Sequence, residues 1–347
     1  MHYKDNGMAV AAQPDTTEEQ LIQRRRAVTS EEEPMTKTIL VTGAAGFIGS
    51  HLVDHLLAQG HSVVGVDNLR TGREENLRGA MAHEEFTFLQ ADICDQDLVS
   101  RLPELDVVYH LAAISSVKLS VEDPLAVNET NVTGTVNILR AARELGVQRV
   151  VFSSSAAVYG QPEISPITED APIQALSPYG ASKIAAEQYM HSFRNTYGME
   201  TVILRYFNVY GPRQAYSEYS GVVSVFINRA LRGDRLIVDG DGLQTRSLIY
   251  VDDVVALTVQ AATAPGISGE VINVCGAHEM TVLDIANAVL RMVAQTNSTI
   301  THGPPRPGDI RKSSGSLDKA RELLGVTPQV DFEQGLRRTI EWYRNSM

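Results

Sequence analysis

Cysteine is scarce in this chain, and long apolar runs are absent. Two cysteines in 347 residues, Cys94 and Cys275, stand apart from each other and from any histidine at metal-ligand spacing. That excludes a disulfide framework and a structural zinc site, so no metal is expected and both read as small core residues. No stretch approaches the roughly 20 apolar residues that cross a bilayer, and the N-terminus lacks the apolar core of a signal peptide; a cytoplasmic protein with no membrane partner is expected. Basic charge is also short. The balance of 30 Lys and Arg against 42 Asp and Glu, a net charge of -12, excludes broad nucleic-acid binding. Screening over about 10 Å still lets a few arginines hold an anionic ligand, so any phosphate site must be local. Internal repeats and low-complexity tracts are missing as well. What remains, 43% apolar and 21% charged, is the composition of an ordinary globular protein of roughly two domains.

Residues 1–36 are polar and charged, with Pro14 and Pro34. They read as a flexible extension in which TEEQLIQRRRAV forms at most a short helix; a partner-binding arm built on Arg24, Arg25 and Arg26 is the alternative. From Lys37 onward, short β-branched runs alternate with segments of helical period. Strands are expected at TILVT (38–42), SVVGV (62–66), FTFL (86–89), DVVYHL (106–111), RVVFS (149–153) and TVILR (201–205), with helices over 47–59, 125–145 and 179–197. Such alternation calls for a parallel sheet covered on both faces, a doubly wound α/β core. After Tyr206 come Gly- and Pro-containing loops, apolar runs at 249–262 and 271–274, and three helical segments. The first starts at Val282 behind a Thr281 and Asp284 capping pair; the others cover 317–324 and 332–343. The expected division is a dinucleotide-binding domain over 37–207, with 249–275 threading back to it, and a smaller mixed α/β substrate lobe from 208–248 and 276–347.

The first strand runs directly into GAAGFIGSHL, which places Gly43, Gly46 and Gly49 at a strand-to-helix turn. Glycines there allow a tight turn, close backbone approach to a pyrophosphate and close helix packing, while the helix N-terminus favours the anion. Asp67 follows the second strand at about the expected ~20 residues, suited to accept from both ribose hydroxyls. An acid in that place disfavours a 2′-phosphate and so prefers NAD to NADP, although Arg70 and Arg73 pull the other way. Asp92 and Ile93 after the third strand, and Leu111, Ala112 and Ala113 after the fourth, sit where strand ends would meet the cofactor.

SPYGASK puts Tyr179 and Lys183 four residues apart, on one face of a helix. A free phenol, with a pKa near ~10, is a poor base at neutral pH. An ammonium group and a cationic nicotinamide nearby would favour the phenolate. The preceding strand ends in FSSSAAVYG, which sets Ser155 at its carboxyl end, where open α/β sheets bind ligands.

The ordered segments VTGAAGFIGSHL, DNLRTG, YHLAA, FSSSAAVYG, SPYGASK, RYFNVYGPRQ, YVDDV and RPGD resemble the sugar-nucleotide epimerase/dehydratase family of the extended short-chain dehydrogenase/reductases. Within it they resemble most the UDP-hexose 4-epimerases that act on UDP-glucose or UDP-N-acetylglucosamine. The resemblance implies a Rossmann-type fold and a resident NAD. It assigns Tyr179 to take the proton from the sugar 4-hydroxyl, Ser155 to share that hydrogen bond, and Lys183 to hold the nicotinamide ribose. Phe47, Ile48, Asn68, Thr71, Gly72, Asn131, Ser153 and Tyr206 are implied as further cofactor contacts. Asn208, Val222, Val238, Arg246, Arg306 and Asp309 are implied to hold the UDP moiety, where guanidinium groups suit a diphosphate, and Ser116 is implied to face the sugar. Ser313 aligns with a size gate at the sugar C2 substituent, where a small residue leaves room for an N-acetyl group. A homodimer through the helices at 125–145 and 179–197 is implied too. Relatives that eliminate water, and those that decarboxylate, resemble this family but carry an acid just before VYG; Ala156 and Ala157 stand there instead. Three readings therefore remain open: a UDP-hexose 4-epimerase, another sugar-nucleotide enzyme such as a uronate epimerase or an unusual dehydratase, and a non-catalytic NAD-binding regulator.

Overall fold

Seven short runs rich in β-branched residues become one parallel sheet because each must be covered on both faces. The computed structural model describes residues 36–216, 221–277, 279–305 and 311–346. The N-terminal segment with Arg24, Arg25 and Arg26, and the pair Arg306 and Asp309, lie outside the described residues. The first half of the chain runs β1 (Thr38–Thr42), α1 (Phe47–Ala58), β2 (Ser62–Asp67), β3 (Phe86–Gln90), β4 (Val107–His110), α2 (Val117–Glu122), α3 (Pro124–Asn128), α4 (Gly134–Glu144), β5 (Arg149–Ser155), α5 (Pro178–Tyr197) and β6 (Glu200–Tyr206). The second half runs β7 (Asn208–Tyr210), α6 (Val222–Arg232), β8 (Leu236–Asp239), β9 (Thr245–Tyr250), α7 (Val251–Thr263), β10 (Val271–Val274), β11 (Glu279–Thr281), α8 (Val282–Val293), β12 (Ile300–Gly303), β13 (Lys312–Ser313), α9 (Asp318–Leu324) and α10 (Phe332–Ser346).

The large sheet has the order β10-β6-β5-β4-β1-β2-β3, and its neighbours pair in parallel. Chain direction across the sheet reverses between β1 and β4. A crevice therefore opens at their carboxyl ends, the general ligand position in such sheets. Side chains alternate across β1: Ile39 and Val41 join a core layer with Leu52 and Leu56 of α1 and Leu257 of α7. Leu40 joins the opposite layer with Ile138 and Leu139 of α4 and Met190 of α5. Each such buried aliphatic contributes roughly 1.5–3 kcal/mol. A third core packs Phe226, Ile285, Leu336 and Ile340 behind the second half of the chain. Two small sheets flank it: β9 pairs with β7, β11 and β13, and β8 pairs with β12.

The helix expected over 125–145 differs in kind. It opens at Pro124, capped by the Asp123 side chain accepting from Ala126 N at 3.1 Å, and carries a π turn over Glu129–Thr133 before α4. The widened turn sends Asn131 inward: its Oδ1 accepts from Ile114 N at 2.8 Å, and its Nδ2 donates to Ile114 O at 3.1 Å and Ser182 Oγ at 2.9 Å. Periodicity cannot announce such a turn, since the apolar positions on either side keep a helical spacing. The apolar run at 249–262 splits into the end of β9 and α7. Cys275 is buried and Cys94 is only half-buried, both as free thiols. Among the described residues, no helix is long and apolar enough to cross a membrane.

Candidate active site

The β1–α1 turn is closed so tightly that only glycine fits it. Gly43 has a φ of +71°, and a Cβ there would lie 2.8 Å from Ala112 N; a Cβ on Gly49 would lie 2.0 Å from Gly43 O. Gly46, the N-cap residue of α1, supplies no side-chain cap, and no acid stands in the first turn. The free N–H groups of that turn make a local anion site in a chain whose overall charge is negative. At the end of β2, Asp67 accepts from Ala45 N at 3.0 Å and Leu69 N at 2.8 Å. Burial raises its carboxyl above the ordinary carboxylate range, against the pull of those two N–H groups. Gly72 lies against this acid, where a Cβ would come within 2.8 Å of both carboxylate oxygens. Turn, helix end and acid together fit a dinucleotide, with the diphosphate at α1 and the ribose at Asp67.

A cavity of about 400 Å³ runs from this turn past the ends of β4, β5 and β6. Of the residues expected to contact a cofactor, Gly43, Gly46, Phe47, Ile48, Gly49, Asp67, Asn68, Thr71, Ile93, Leu111, Ala112, Ala113, Ser153, Tyr179, Lys183 and Tyr206 line it. Ser155 and Asn208, expected at the substrate, line it too. Gly72, Asp92 and Asn131 stand behind that wall. Asp92 accepts from Asn68 Nδ2 at 2.7 Å, so it orients a lining residue, and Asn131 ties the loop after β4 to the start of α5. Arg70 lines the cavity beside Asp67, whereas the Arg73 main chain donates to Ala45 O at 3.0 Å and supports the glycine turn.

The residues expected to form the reacting centre come from β5 and α5. Ser177 caps the helix through Gly180 N, and Pro178 occupies its first turn. Tyr179 and Lys183 thus face the strand end one turn apart, 8% and 2% exposed. Ser155 stands beside the Tyr179 phenol, near enough to oppose the effect of its burial, and its Oγ accepts from Ala157 N at 3.2 Å. Lys183 Nζ donates to Ser153 O at 2.7 Å and lies 4.7 Å from the Phe152 ring centroid. The chain's own electrostatics act against the phenolate. Burial pushes the Tyr179 phenol up, opposed by Ser155, and burial pulls Lys183 down to about 7, opposed by Glu187. The chain's own groups therefore do not by themselves favour the phenolate; desolvation outweighs the pull of Ser155.

The remaining expected substrate residues divide. Arg246 and Ser313 face each other in register across β9 and β13, and Asn208 opens β7 on the same β9 strand. The Asn208 amide donates to Ser247 O at 3.4 Å, and Arg246 Nη1 donates to Thr245 O at 2.7 Å. Val238 is fully buried in β8. Ser116 is a helix cap: its hydroxyl accepts from Leu119 N at 3.1 Å. Its neighbour Ser115 lines the cavity. Val222 begins α6, and the preceding Gly221 lines the cavity with Gln214 and Thr130. Those residues escaped sequence reading because the chain brings them to the site from distant loops, although the Gly221–Val222 step shows a helix start.

Comparison with known proteins agrees with the geometry. The family model described as the NAD dependent epimerase/dehydratase family matches residues 39–275. A UDP-glucose 4-epimerase of Mycolicibacterium smegmatis is 45% identical over 309 residues, covering 88% of this chain and 98% of the relative. The solved UDP-glucose 4-epimerase of Thermotoga maritima, with UDP-glucose, is similar with a TM-score of 0.84 at 38% identity, over 89% of this chain and 99% of that one. A UDP-N-acetylglucosamine 4-epimerase of Methanobrevibacter ruminantium, in complex with UDP-N-acetylmuramic acid, gives a TM-score of 0.85 at 36% identity, over 90% and 99%.

Proposed function

This chain belongs to the NAD-dependent epimerase/dehydratase family, and on that footing we propose that it inverts C4 of a UDP-hexose through a transient 4-keto sugar. The observation that carries this reading is Ser155, Tyr179 and Lys183 gathered at the end of β5, in one cavity with the glycine turn and Asp67. Bound there, NAD would supply the acceptor and donor of the C4 hydride and a fixed positive charge beside the phenol. Tyr179 then takes the 4-hydroxyl proton and later returns it, and Ser155 holds the same oxygen. Lys183, anchored on Ser153 O, orients the ribose next to them. Ala156 and Ala157 bring no carboxylate to this centre, so elimination lacks its acid and base, and oxidation followed by return is the chemistry left. The segments 208–248 and 276–347 form the lobe that holds the UDP-sugar. A regulator without catalysis would have no use for an intact proton-transfer set.

The sugar is proposed to be UDP-GlcNAc and UDP-GalNAc, alongside UDP-glucose and UDP-galactose, because Ser313 is small at the position that resembles the C2 gate. Incubation with a panel of UDP-sugars, scored by NMR, tests both levels: a C4 epimer of these sugars supports the reading, and a uronate epimer or a stable keto product replaces it. Ser313→Tyr should cut kcat/KM for UDP-GlcNAc at least tenfold, a loss of about 1.4 kcal/mol, and leave UDP-glucose within about twofold. Equal loss on both sugars would remove Ser313 from the gate.

The protein is also proposed to act as a homodimer through its outer helices. Val121 of α2, Leu125 of α3 and Tyr189 of α5 are 65%, 81% and 41% exposed, more apolar surface than these helices need expose alone. Light scattering should find twice the 37.9 kDa chain mass, and Leu125→Asp should halve it. A monomeric wild-type protein would end this part of the reading.

A further inference from the structure

Three successive serines at the end of β5 each meet a different turn of α5. Ser155 stands beside the Tyr179 phenol, the Ser153 carbonyl accepts from Lys183 Nζ at 2.7 Å, and Ser154 Oγ donates to Glu187 Oε1 at 2.5 Å. Tyr179, Lys183 and Glu187 recur every four residues, so they share one helix face. The first two contacts belong to the reaction centre. The third leads to an ion pair that the reaction as described leaves unused: Arg205 of β6 donates to the Glu187 carboxylate from Nε at 3.0 Å and Nη2 at 2.8 Å. The two side chains are 3% and 1% exposed. Arg205 is itself held by Glu169 O at 3.2 Å and lies 4.8 Å from the Tyr159 ring centroid. Desolvation offsets much of the attraction in a buried pair, so stability is a poor reason for it. Its place one turn behind Lys183 supplies another.

We infer that Glu187 is a positioning residue: anchored by Ser154 and Arg205, it fixes the turn of α5 that bears Lys183 and sets a carboxylate one helical turn from that ammonium. The consequence for turnover rests on the epimerase reading, but the effect on Lys183 does not. Several ionisable groups surround the pair. From β4, His110 is pulled down to about 3, by burial first and by the Lys183 charge second. It makes hydrogen bonds with Thr42 Oγ1 at 2.7 Å and Thr135 Oγ1 at 2.9 Å, so it stays neutral beside Lys183. On α5 itself stand Tyr179, raised by burial, and His191, lowered by burial against the pull of Glu187. Arg205 approaches from β6, Tyr159 from the turn after β5, and Glu169 from the loop beyond it. Against this background Glu187 is the charge that opposes the desolvation of Lys183. Its neutralisation removes that opposing charge and leaves the buried Arg205 guanidinium without its carboxylate.

The test is a titration of Lys183 in protein carrying ¹³Cε-labelled lysine. The chain has six lysines, and Lys183→Arg assigns the resonance. In Glu187→Gln, Lys183 should titrate roughly one pH unit lower than in wild type, in the direction set by losing a nearby opposite charge. Glu187→Asp should keep most of the wild-type value, and the alkaline limb of kcat should follow the resonance. If Glu187→Gln does not fold, the double variant Glu187→Gln/Arg205→Met removes both charges of the pair, and its Lys183 should likewise titrate below wild type. A Lys183 titration unchanged from wild type in Glu187→Gln, or in the double variant if only that one folds, overturns the inference. Failure of the wild-type protein to turn over any UDP-sugar would instead remove the functional reading, and the resonance would still decide the role of Glu187.

Discussion

Tyr179→Phe lowers kcat about a thousandfold, within the range that a positioned acid–base group supplies, and leaves NAD affinity and the thermal midpoint near wild type. The expectation follows from what the phenol touches. Its hydroxyl lies beside Ser155, and the residue is 8% exposed. Phenylalanine keeps the ring in place and removes the atom that carries the proton. As the base, the phenol must be ionised before it takes the proton, so turnover should also climb with pH on the acid side. In the Phe variant the small residual rate should lose that slope. Stopped-flow or NMR rates across pH check both statements, and a variant that keeps more than about a tenth of wild-type kcat would take Tyr179 out of the proton transfer.

The second large effect concerns the cofactor. Gly49→Ala should weaken NAD binding roughly a hundredfold, about 2.7 kcal/mol. The new Cβ would lie 2.0 Å from Gly43 O and 3.2 Å from Ala44 Cα, so the conflict is with backbone that cannot rotate aside. Either α1 backs away from the turn or the turn opens, and both displace the N–H groups that would meet the diphosphate. Gly79→Ala is the matched control, since nothing lies within 4 Å of its added Cβ; its NAD affinity should equal that of wild type. Calorimetric titration reads both, and an unweakened Gly49→Ala would mean that the dinucleotide lies elsewhere.

Local pattern made the sheet and half of the site legible before the structure. Short β-branched runs such as TILVT and RVVFS, alternating with helical segments, read as internal strands, and a glycine turn directly between the first of them and a helix points to a diphosphate. Tyr179 and Lys183 were legible because one helical turn separates them. Long-range pairing was not. Glu187 meets Arg205 across the β5–β6 edge, Gly221 and Gln214 arrive at the cavity from the second half of the chain, and no spacing rule connects them to Tyr179. The π turn at Glu129–Thr133 left no mark in the apolar period. Ser115 and Ser116 could not be told apart in a row of small residues, because which of them caps α2 depends on where the helix starts. How strongly the phenol resists ionisation was not legible for a related reason. Proximity to a lysine is visible in sequence, whereas the depth of burial that opposes it is a property of the packed core.

The central claim is that one hydride leaves C4 and returns to the same carbon without meeting solvent. A UDP-hexose deuterated at C4, incubated with the purified protein in ordinary water and followed by ¹H NMR, tests it directly. The account predicts conversion to the C4 epimer with the deuterium still at C4. Exchange of the label into water, or no epimer from any UDP-hexose, would contradict it.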